Sequence, residues 1–360
     1  GEVSAGMICA EDEIGLGSDH NGIMVLDPSA IPGTPASAYF KIESDFCLEV
    51  DLTPNRIDGA SHIGVARDLA AFLRQTEEIN YTKPSVDGFK VTSNTHTIPV
   101  TIENPEACAR YAGVSIKGVS IKESPDWLKN RLRVIGLKPI NNVVDVTNFV
   151  LFETGQPLHA FDLKAIKGNT IVVKTLPAGT KFRTLDDVER SLDEKDLMIC
   201  NKSEGMCIGG VFGGIDSGIT NETTEMFLES ALFNPVYIRK TARRHGLNTD
   251  ASFRFERGVD PNGTIYALKR AAILICEIAG GEIASEIIDV VADPAILEPF
   301  AVSVSYNNIT KLIGKEIPAG QIKNILTSLE IKIVSEDQDG LELAVPPYRV
   351  DVRREADIIE

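Results

Sequence analysis

Four segments decide how this chain is read: Asn141-Asn-Val-Val-Asp-Val-Thr-Asn148, Gly155-Gln-Pro-Leu-His-Ala-Phe-Asp162, Gly209-Gly-Val-Phe-Gly-Gly214 and Arg243-Arg-His-Gly-Leu-Asn-Thr-Asp-Ala-Ser252. They place Asn, Thr, His, Asp and Gly between apolar runs, where an ordinary core segment would not. Such a composition suits a pocket built from backbone and a few side chains around a polar ligand. The Gly209–Gly214 segment lacks the Gly-Lys-Ser/Thr of a P-loop and is not a dinucleotide fingerprint. It reads either as close backbone approach to a ligand, with N–H groups aimed at a carbonyl or oxyanion, or as a tight turn between buried strands.

Individual residues within and near these segments stand out. His159 lies beside apolar residues and is either a hydrogen-bonded core residue or a catalytic group, with Asp145, Thr147 and Asn148 as company. Glu229 sits in the apolar run Met226-Phe-Leu-Glu-Ser-Ala231. A buried carboxylate without a partner is costly, so it should pair with an arginine or face a pocket. Arg239, Lys240, Arg243 and Arg244 could hold a phosphate backbone or merely solvate a helix end. Ser252 lacks both a nearby base in sequence and a nucleophile elbow, which argues against a serine nucleophile. In the tail, Asp357 and Glu360 share one helix face, as oxygen ligands of Mg²⁺ or as an acidic helix start.

Working outward, residues 1–35 are rich in Gly and Pro and read as the end of a small β domain, with a strand at Ile23–Leu26. A strand over 46–51 leads into a helix from about Ser61, with Ile63, Ala66, Ala70 and Leu73 on one face. Residues 85–98 read as a polar linker. Within 99–292, a helix capped by Ser124 with Pro125 at its first position precedes strands at 170–175 and 197–200 and a turn at Asp186-Asp187. Asn234-Pro235 and Asp260-Pro261 open two more helices, which close at Gly246 and Gly280-Gly281. After a second linker at 293–299 come a strand, two helices and a hairpin around Asp339-Gly340, a winged-helix-like order. Strands and helices do not alternate regularly, so the fold class is α+β and multidomain.

The bulk numbers exclude several classes. A length of 360 residues allows two to four domains, and 43% hydrophobic with 24% charged residues is ordinary for a globular protein. No apolar run approaches the ~20 residues needed to span a bilayer, so no membrane partner is expected. Six scattered cysteines without a Cys-x-x-Cys pair argue against zinc and disulfides and fit a reducing, cytoplasmic compartment. A net charge of −16 disfavours nucleic-acid binding by the whole surface, so any such contact must be local. Residues 299–360 carry more acidic than basic side chains, which speaks against a DNA-binding winged helix. The chain starts at Gly1 and stops at Glu360 inside a helical pattern, so a piece of a longer polypeptide is expected.

Taken in order, these segments resemble the beta subunits of bacterial phenylalanyl-tRNA synthetases. The likeness is also carried by Gly6-Met-Ile-Cys-Ala-Glu-Asp-Glu-Ile-Gly-Leu-Gly17, Asp51-Leu-Thr-Pro-Asn-Arg56, Gly64-Val-Ala-Arg-Asp68, Ala251-Ser-Phe-Arg-Phe-Glu-Arg-Gly-Val-Asp-Pro261 and Pro347-Tyr-Arg-Val-Asp351. The resemblance implies the end of an inserted oligonucleotide-binding-type domain over 1–35, part of an N-terminal module over 36–84, an editing domain over 85–292 and the winged-helix-like module over 299–360. It implies hydrolysis of mischarged Tyr-tRNA(Phe), tRNA(Phe) binding, and a scaffold for a catalytic alpha subunit in an (αβ)₂ tetramer, with ATP bound only at the alpha subunit. The alternative is a scaffold fragment without hydrolase activity of its own. By resemblance, Glu229 accepts the tyrosine hydroxyl, and His159, Asn148 and Thr249 line the reacting end. Thr147, Ala251, Gly210 and Gly213 contact the substrate, the glycines through backbone N–H groups. A water nucleophile positioned by His159 and the tRNA's own ribose hydroxyl is expected, with no covalent intermediate. Asp351, Asp357 and Glu360 are the implied Mg²⁺ ligands shared with the alpha subunit, and weak or absent binding is expected for this piece alone.

Overall fold

A computed structural model of the chain describes residues 6–17, 20, 22–42 and 44–360. The parts of the 1–35 and 36–84 expectations that fall on other positions lie outside the described residues. The chain divides into two compact units, Gly1–Phe46 and Cys47–Glu360. In the first, a turn of 3-10 helix at Asp12–Ile14 and a short helix at Ala36–Tyr39 are the regular elements among the described residues. The strands expected at 23–26 and 46–51 do not form. Val25 and Leu48 remain largely exposed, and strand-like composition without a ladder partner does not make a strand.

The second unit is organised by two sheets. The central one runs in the order Glu282–Ile283, Cys108–Lys117, Glu225–Phe233, Leu158–Asp162, and Ile288–Val291 also pairs with Cys108–Lys117. All its pairings are antiparallel. Because side chains alternate along a strand, its two faces sort cleanly. Met226 and Leu228 join Ala112, Val114, Ile116 and Ala160 against helices Asp126–Val134, Asn142–Thr154 and Gly263–Ala279. Phe227, Ala231 and Phe233 join Tyr111 and Phe161 on the other face, against the second sheet. That second sheet orders Val100–Ile102, Ile171–Thr175, Leu197–Cys200, Gly205–Ile208 and Phe212–Gly213. Each fully buried aromatic between the sheets contributes roughly 2–3 kcal/mol through apolar burial.

Several local expectations are corrected. Residues 85–98 are not a free linker: Val91 bridges Ile283, the Thr92 and Thr95 N–H groups donate to the Ile283 and Ala284 carbonyls, and Ile98 is buried. Ser124 does not cap the helix starting at Asp126; its hydroxyl donates to buried Asp145. Helix His62–Leu73 starts after Ser61 as expected, with the Ser61 hydroxyl capping it by accepting the Gly64 N–H, but it buries Gly64, Arg67, Ala70 and Ala71 while Ala66 faces solvent. The reason is electrostatic, since Arg67 turns inward to Asp58. Helices at Asn142–Thr154 and Asp250–Phe255 were not anticipated.

The C-terminal module follows the expected order. Strands Phe300–Ser305, Gly340–Val345 and Lys332–Glu336 form an antiparallel sheet. Helices Tyr306–Ile313 and Ala319–Ser328 cover it through Ile309, Ile322 and Leu326.

Candidate functional site

Glu229 stands near the middle of its strand, flanked by Gly113 on one side and His159 on the other. Residues directly opposite in an antiparallel ladder point to the same face, so Glu229 and His159 both turn toward the second sheet. Glu229 is 5% exposed and no cation pairs with it among the described residues. Its partner is instead the hydroxyl of fully buried Tyr111, which donates to Oε2 at 2.6 Å. Burial pushes the Glu229 carboxyl up to about 7, although the Tyr111 hydrogen bond pulls the other way. Of the two options open from sequence, an arginine partner is ruled out.

His159 responds in the opposite sense. Burial lowers its imidazole to about 4, which keeps the ring neutral near pH 7. Its ring meets Phe161 edge to face at 4.5 Å, and its Nε2 is sealed from solvent without a hydrogen-bond partner. Gly213 lies against this ring. A methyl group there would come within 3.1 Å of the His159 Cε1 and 2.8 Å of the Leu185 Cδ1. Absence of a side chain therefore lets the Phe212–Gly213 strand close on the imidazole. Glu229, His159 and Gly213 are thus brought together.

The other expected site residues are engaged in the fold. Thr249 is the N-cap of helix Asp250–Phe255, sharing a capping box with Ser252, and its hydroxyl donates to the Val211 carbonyl at 3.1 Å. It ties the glycine-rich turn to that helix. Gly210 has φ +68°, and a Cβ would sit 2.8–3.0 Å from Phe233, Ile238 and Phe255, so it is a packed turn on the aromatic core. Ala251 packs against that same core. The Thr147 hydroxyl donates back to Val144 at 2.7 Å within the Asn142–Thr154 helix, which packs against the His159 strand. Asn148, half-buried on that helix, makes no side-chain hydrogen bond among the described residues.

Arg244 is not free for phosphate, because it pairs with Asp193 and with buried Asp196, which also accepts from Thr241 and contacts His245 at 2.7 Å. This network roots the Pro235–His245 helix on the strand Leu197–Cys200. Arg239, Lys240 and Arg243 remain exposed.

The three expected Mg²⁺ ligands are not gathered. Asp357 accepts the N–H groups of Arg353 and Arg354 and pairs with the Arg354 guanidinium at 2.9 Å. Asp351 accepts from Asn55 Nδ2 at 2.6 Å, and Glu360 is exposed. Among the described residues no three His, Cys, Asp or Glu side chains group as a metal site. No described helix is long and apolar enough to cross a membrane. A cavity of about 350 Å³ lies elsewhere, between Arg67, Lys83, Gln156, Asp260 and Tyr348. Much of its charge is consumed internally: Asp58 pairs with Arg56, Arg67 and Arg349 at 3.0–3.3 Å.

Sequence reasoning missed Tyr111 and Asp196. Asp196 carried a signal, as a carboxylate next to the apolar run Leu197–Cys200, whereas Tyr111 reads like any core aromatic.

With this geometry in place, known proteins supply the family. A family model described as the B3/4 domain matches residues 107–280, and one described as the tRNA synthetase B5 domain matches 302–360. The phenylalanine–tRNA ligase beta subunit of Bacteroides thetaiotaomicron is 62% identical over 361 residues, and that of Porphyromonas gingivalis is 50% identical over 369. Both alignments cover 100% of this chain and 44% of the relative, so the chain spans less than half their length. A solved N-terminal fragment of the Pyrococcus horikoshii phenylalanyl-tRNA synthetase beta subunit covers 85% of this chain, with 82% of its own length matched. At 17% identity and a TM-score of 0.40 that likeness is too loose to bear on the fold. Carrying both domains in order and aligned end to end with these relatives, the chain belongs to the family of phenylalanine–tRNA ligase beta subunits.

Proposed function

We propose that the central module hydrolyses the ester of tyrosine wrongly attached to tRNA(Phe). The observation that carries this reading is a pair of opposed residues on one sheet face, Glu229 and His159, each keeping a polar atom that no described protein group partners. Glu229 has one oxygen held by Tyr111 and no donor on the other, and the opposite residue, His159, has an unpartnered Nε2. An apolar pocket built for phenylalanine rejects tyrosine weakly, since an added hydroxyl costs little there. A second site that hydrogen-bonds the hydroxyl supplies the missing discrimination. The carboxylate of Glu229 is such an acceptor, and phenylalanine would leave it unsatisfied in a buried site.

In this mechanism neutral His159 becomes the acceptor for a water or a ribose hydroxyl near the ester only once the arriving substrate uncovers its Nε2, and Gly213, without a side chain, is the neighbour that gives way. Thr249 holds the glycine-rich turn, and Asn148 is the free amide on the neighbouring helix. No covalent intermediate is needed. The remaining assignments belong to the same proposal: tRNA(Phe) binding, assembly with an alpha subunit as (αβ)₂, and ATP-dependent aminoacylation on that alpha subunit. No step is routed through Mg²⁺ in this chain.

An inert scaffold is the second reading, favoured by the use of Thr147, Gly210 and Thr249 inside the fold. Hydrolysis of Tyr-tRNA(Phe) by the chain alone and by the αβ holoenzyme separates the two. The proposal expects release of tyrosine by the holoenzyme, lost in Glu229→Ala. A holoenzyme that leaves Tyr-tRNA(Phe) intact would remove the editing reading and leave the scaffold.

A further inference from the structure

Tyr111 lies diagonally across the ladder from Glu229, because Tyr111 pairs with Ala231 and Gly113 pairs with Glu229. Its ring is fully buried between the sheets, and its hydroxyl reaches Oε2 of Glu229. Gly113, the nearer neighbour, can carry no side chain: a Cβ there would lie 2.1 Å from the Phe227 ring. A buried phenol needs a hydrogen-bond partner, but a backbone carbonyl would satisfy it without sinking a carboxylate into an apolar core. The two groups together require more explanation than either alone.

We infer that Tyr111 is a positioning residue for the editing site: it holds one oxygen of Glu229 and leaves the other as the sole acceptor for the hydroxyl of an incoming tyrosyl group. This rests on the reading of Glu229 as the hydroxyl acceptor. The geometry is that of two phenols sharing one carboxylate, the protein's own tyrosine fixing the orientation into which the substrate's must fit. A fixed carboxylate loses little rotamer freedom when the second phenol binds, which sharpens selectivity for tyrosine over phenylalanine.

Tyr111 also bears on when the carboxylate is charged. The groups facing Glu229 are Tyr111 and Cys108 from one strand, Cys207 from the second sheet and His159 from the opposite strand. Burial pushes both thiols and the phenol well up, so all three stay protonated, and His159 stays neutral. No cation stands among them. The Tyr111 hydrogen bond is the contact that favours the charged carboxylate against burial. Removing it moves the Glu229 titration upward, so at a fixed pH near neutrality fewer molecules hold an ionised acceptor.

The test is single-turnover hydrolysis of Tyr-tRNA(Phe) and Phe-tRNA(Phe) by the holoenzyme between pH 6 and 9, for wild type, Tyr111→Phe, Glu229→Gln and the double variant. Tyr111→Phe is expected to slow tyrosine release on the order of 10-fold at pH 7 and to shift the rising limb up by about one unit. The loss should shrink toward pH 9, release of phenylalanine should be unchanged, and Tyr111→Phe should add nothing in the Glu229→Gln background. An equal loss at every pH, or an unshifted profile while Glu229→Gln destroys discrimination, overturns the inference and leaves editing intact. Full discrimination retained in Glu229→Gln overturns the reading of Glu229 as the hydroxyl acceptor, and the inference with it, while a wild-type holoenzyme that leaves Tyr-tRNA(Phe) intact overturns the editing reading itself. Should Tyr111→Phe fail to fold, 3-fluorotyrosine at position 111 strengthens the donation and is expected to move the limb down; an unmoved or raised limb would equally overturn the inference.

Discussion

Burial moves Glu229 and His159 in opposite directions, and the consequences for stability differ in sign. Glu229 titrates at about 7 in the folded chain against an ordinary 4.5. Its contribution is fully present below about pH 4.5 and is lost as pH rises through 7. A Glu229→Gln variant, which keeps an acceptor for Tyr111, is therefore expected to gain on wild type as pH climbs. The difference should reach about 3 kcal/mol at pH 8 and nearly vanish at pH 4, as read by denaturant titration at the two values. His159 sits at about 4 against 6.5, so its contribution is present above pH 6.5 and lost as pH falls toward 4. Replacing it with Asn should flatten the acid side of the stability profile. Glu229 was legible in sequence as a charge in an apolar run. Tyr111, within Cys108-Ala-Arg-Tyr-Ala-Gly-Val114, was not, because a phenol in a strand looks like packing until a register places it beside a carboxylate.

At the level of elements, polar residues singled out as candidate ligand contacts prove to organise the backbone as well. Asn141 accepts the Val143 and Val144 N–H groups at 3.1 and 3.0 Å and so starts the helix that carries Thr147 and Asn148. Its cap residue was visible in the sequence, but Val143, Val144 and Val146 favour strands, and burial around the helix blurs its periodicity. Tertiary packing decides there. Thr249 both caps a helix and holds the glycine-rich turn through Val211. Thr249→Ala is expected to cost about 1–2 kcal/mol, and Thr249→Ser to restore both stability and hydrolysis. A stable but inactive Thr249→Ser would place the methyl group, rather than the cap, at the centre of its role. Gly210→Ala meets Phe233, Ile238 and Phe255 and a left-handed φ together, so a loss of about 2–4 kcal/mol is expected by thermal or chemical denaturation.

Across the unit from Cys47 to Glu360, two motifs far apart in sequence meet. Arg349 reaches Asp58 at 3.1 Å and Asp68 at 3.4 Å, Asn55 bonds Asp351, and Tyr348 donates to Glu330 beneath Arg67. Burial alone would lift the Asp58 carboxyl, but the guanidinium groups of Arg56, Arg349 and Arg67 hold it below the usual range. Its contribution is therefore present above about pH 4 and lost as pH falls through the lowered value. Arg349→Ala should weaken the unit by about 2–3 kcal/mol and diminish this acid-dependent part, measured as the first unfolding transition at pH 7 and pH 3. The order of elements in the C-terminal module was legible from helix stops and one hairpin turn. This long-range clasp was not, since neither Asp51–Arg56 nor Pro347–Asp351 names its partner.

In the proposed editing site Glu229 is the acceptor that tells tyrosine from phenylalanine, and His159 acts at the ester. The ratio of single-turnover hydrolysis rates for Tyr-tRNA(Phe) and Phe-tRNA(Phe) tests this most directly, in wild-type, Glu229→Ala and His159→Ala holoenzymes. Loss of the ratio in Glu229→Ala, with a slower but still selective reaction in His159→Ala, is the predicted result. Unchanged selectivity in Glu229→Ala would contradict it.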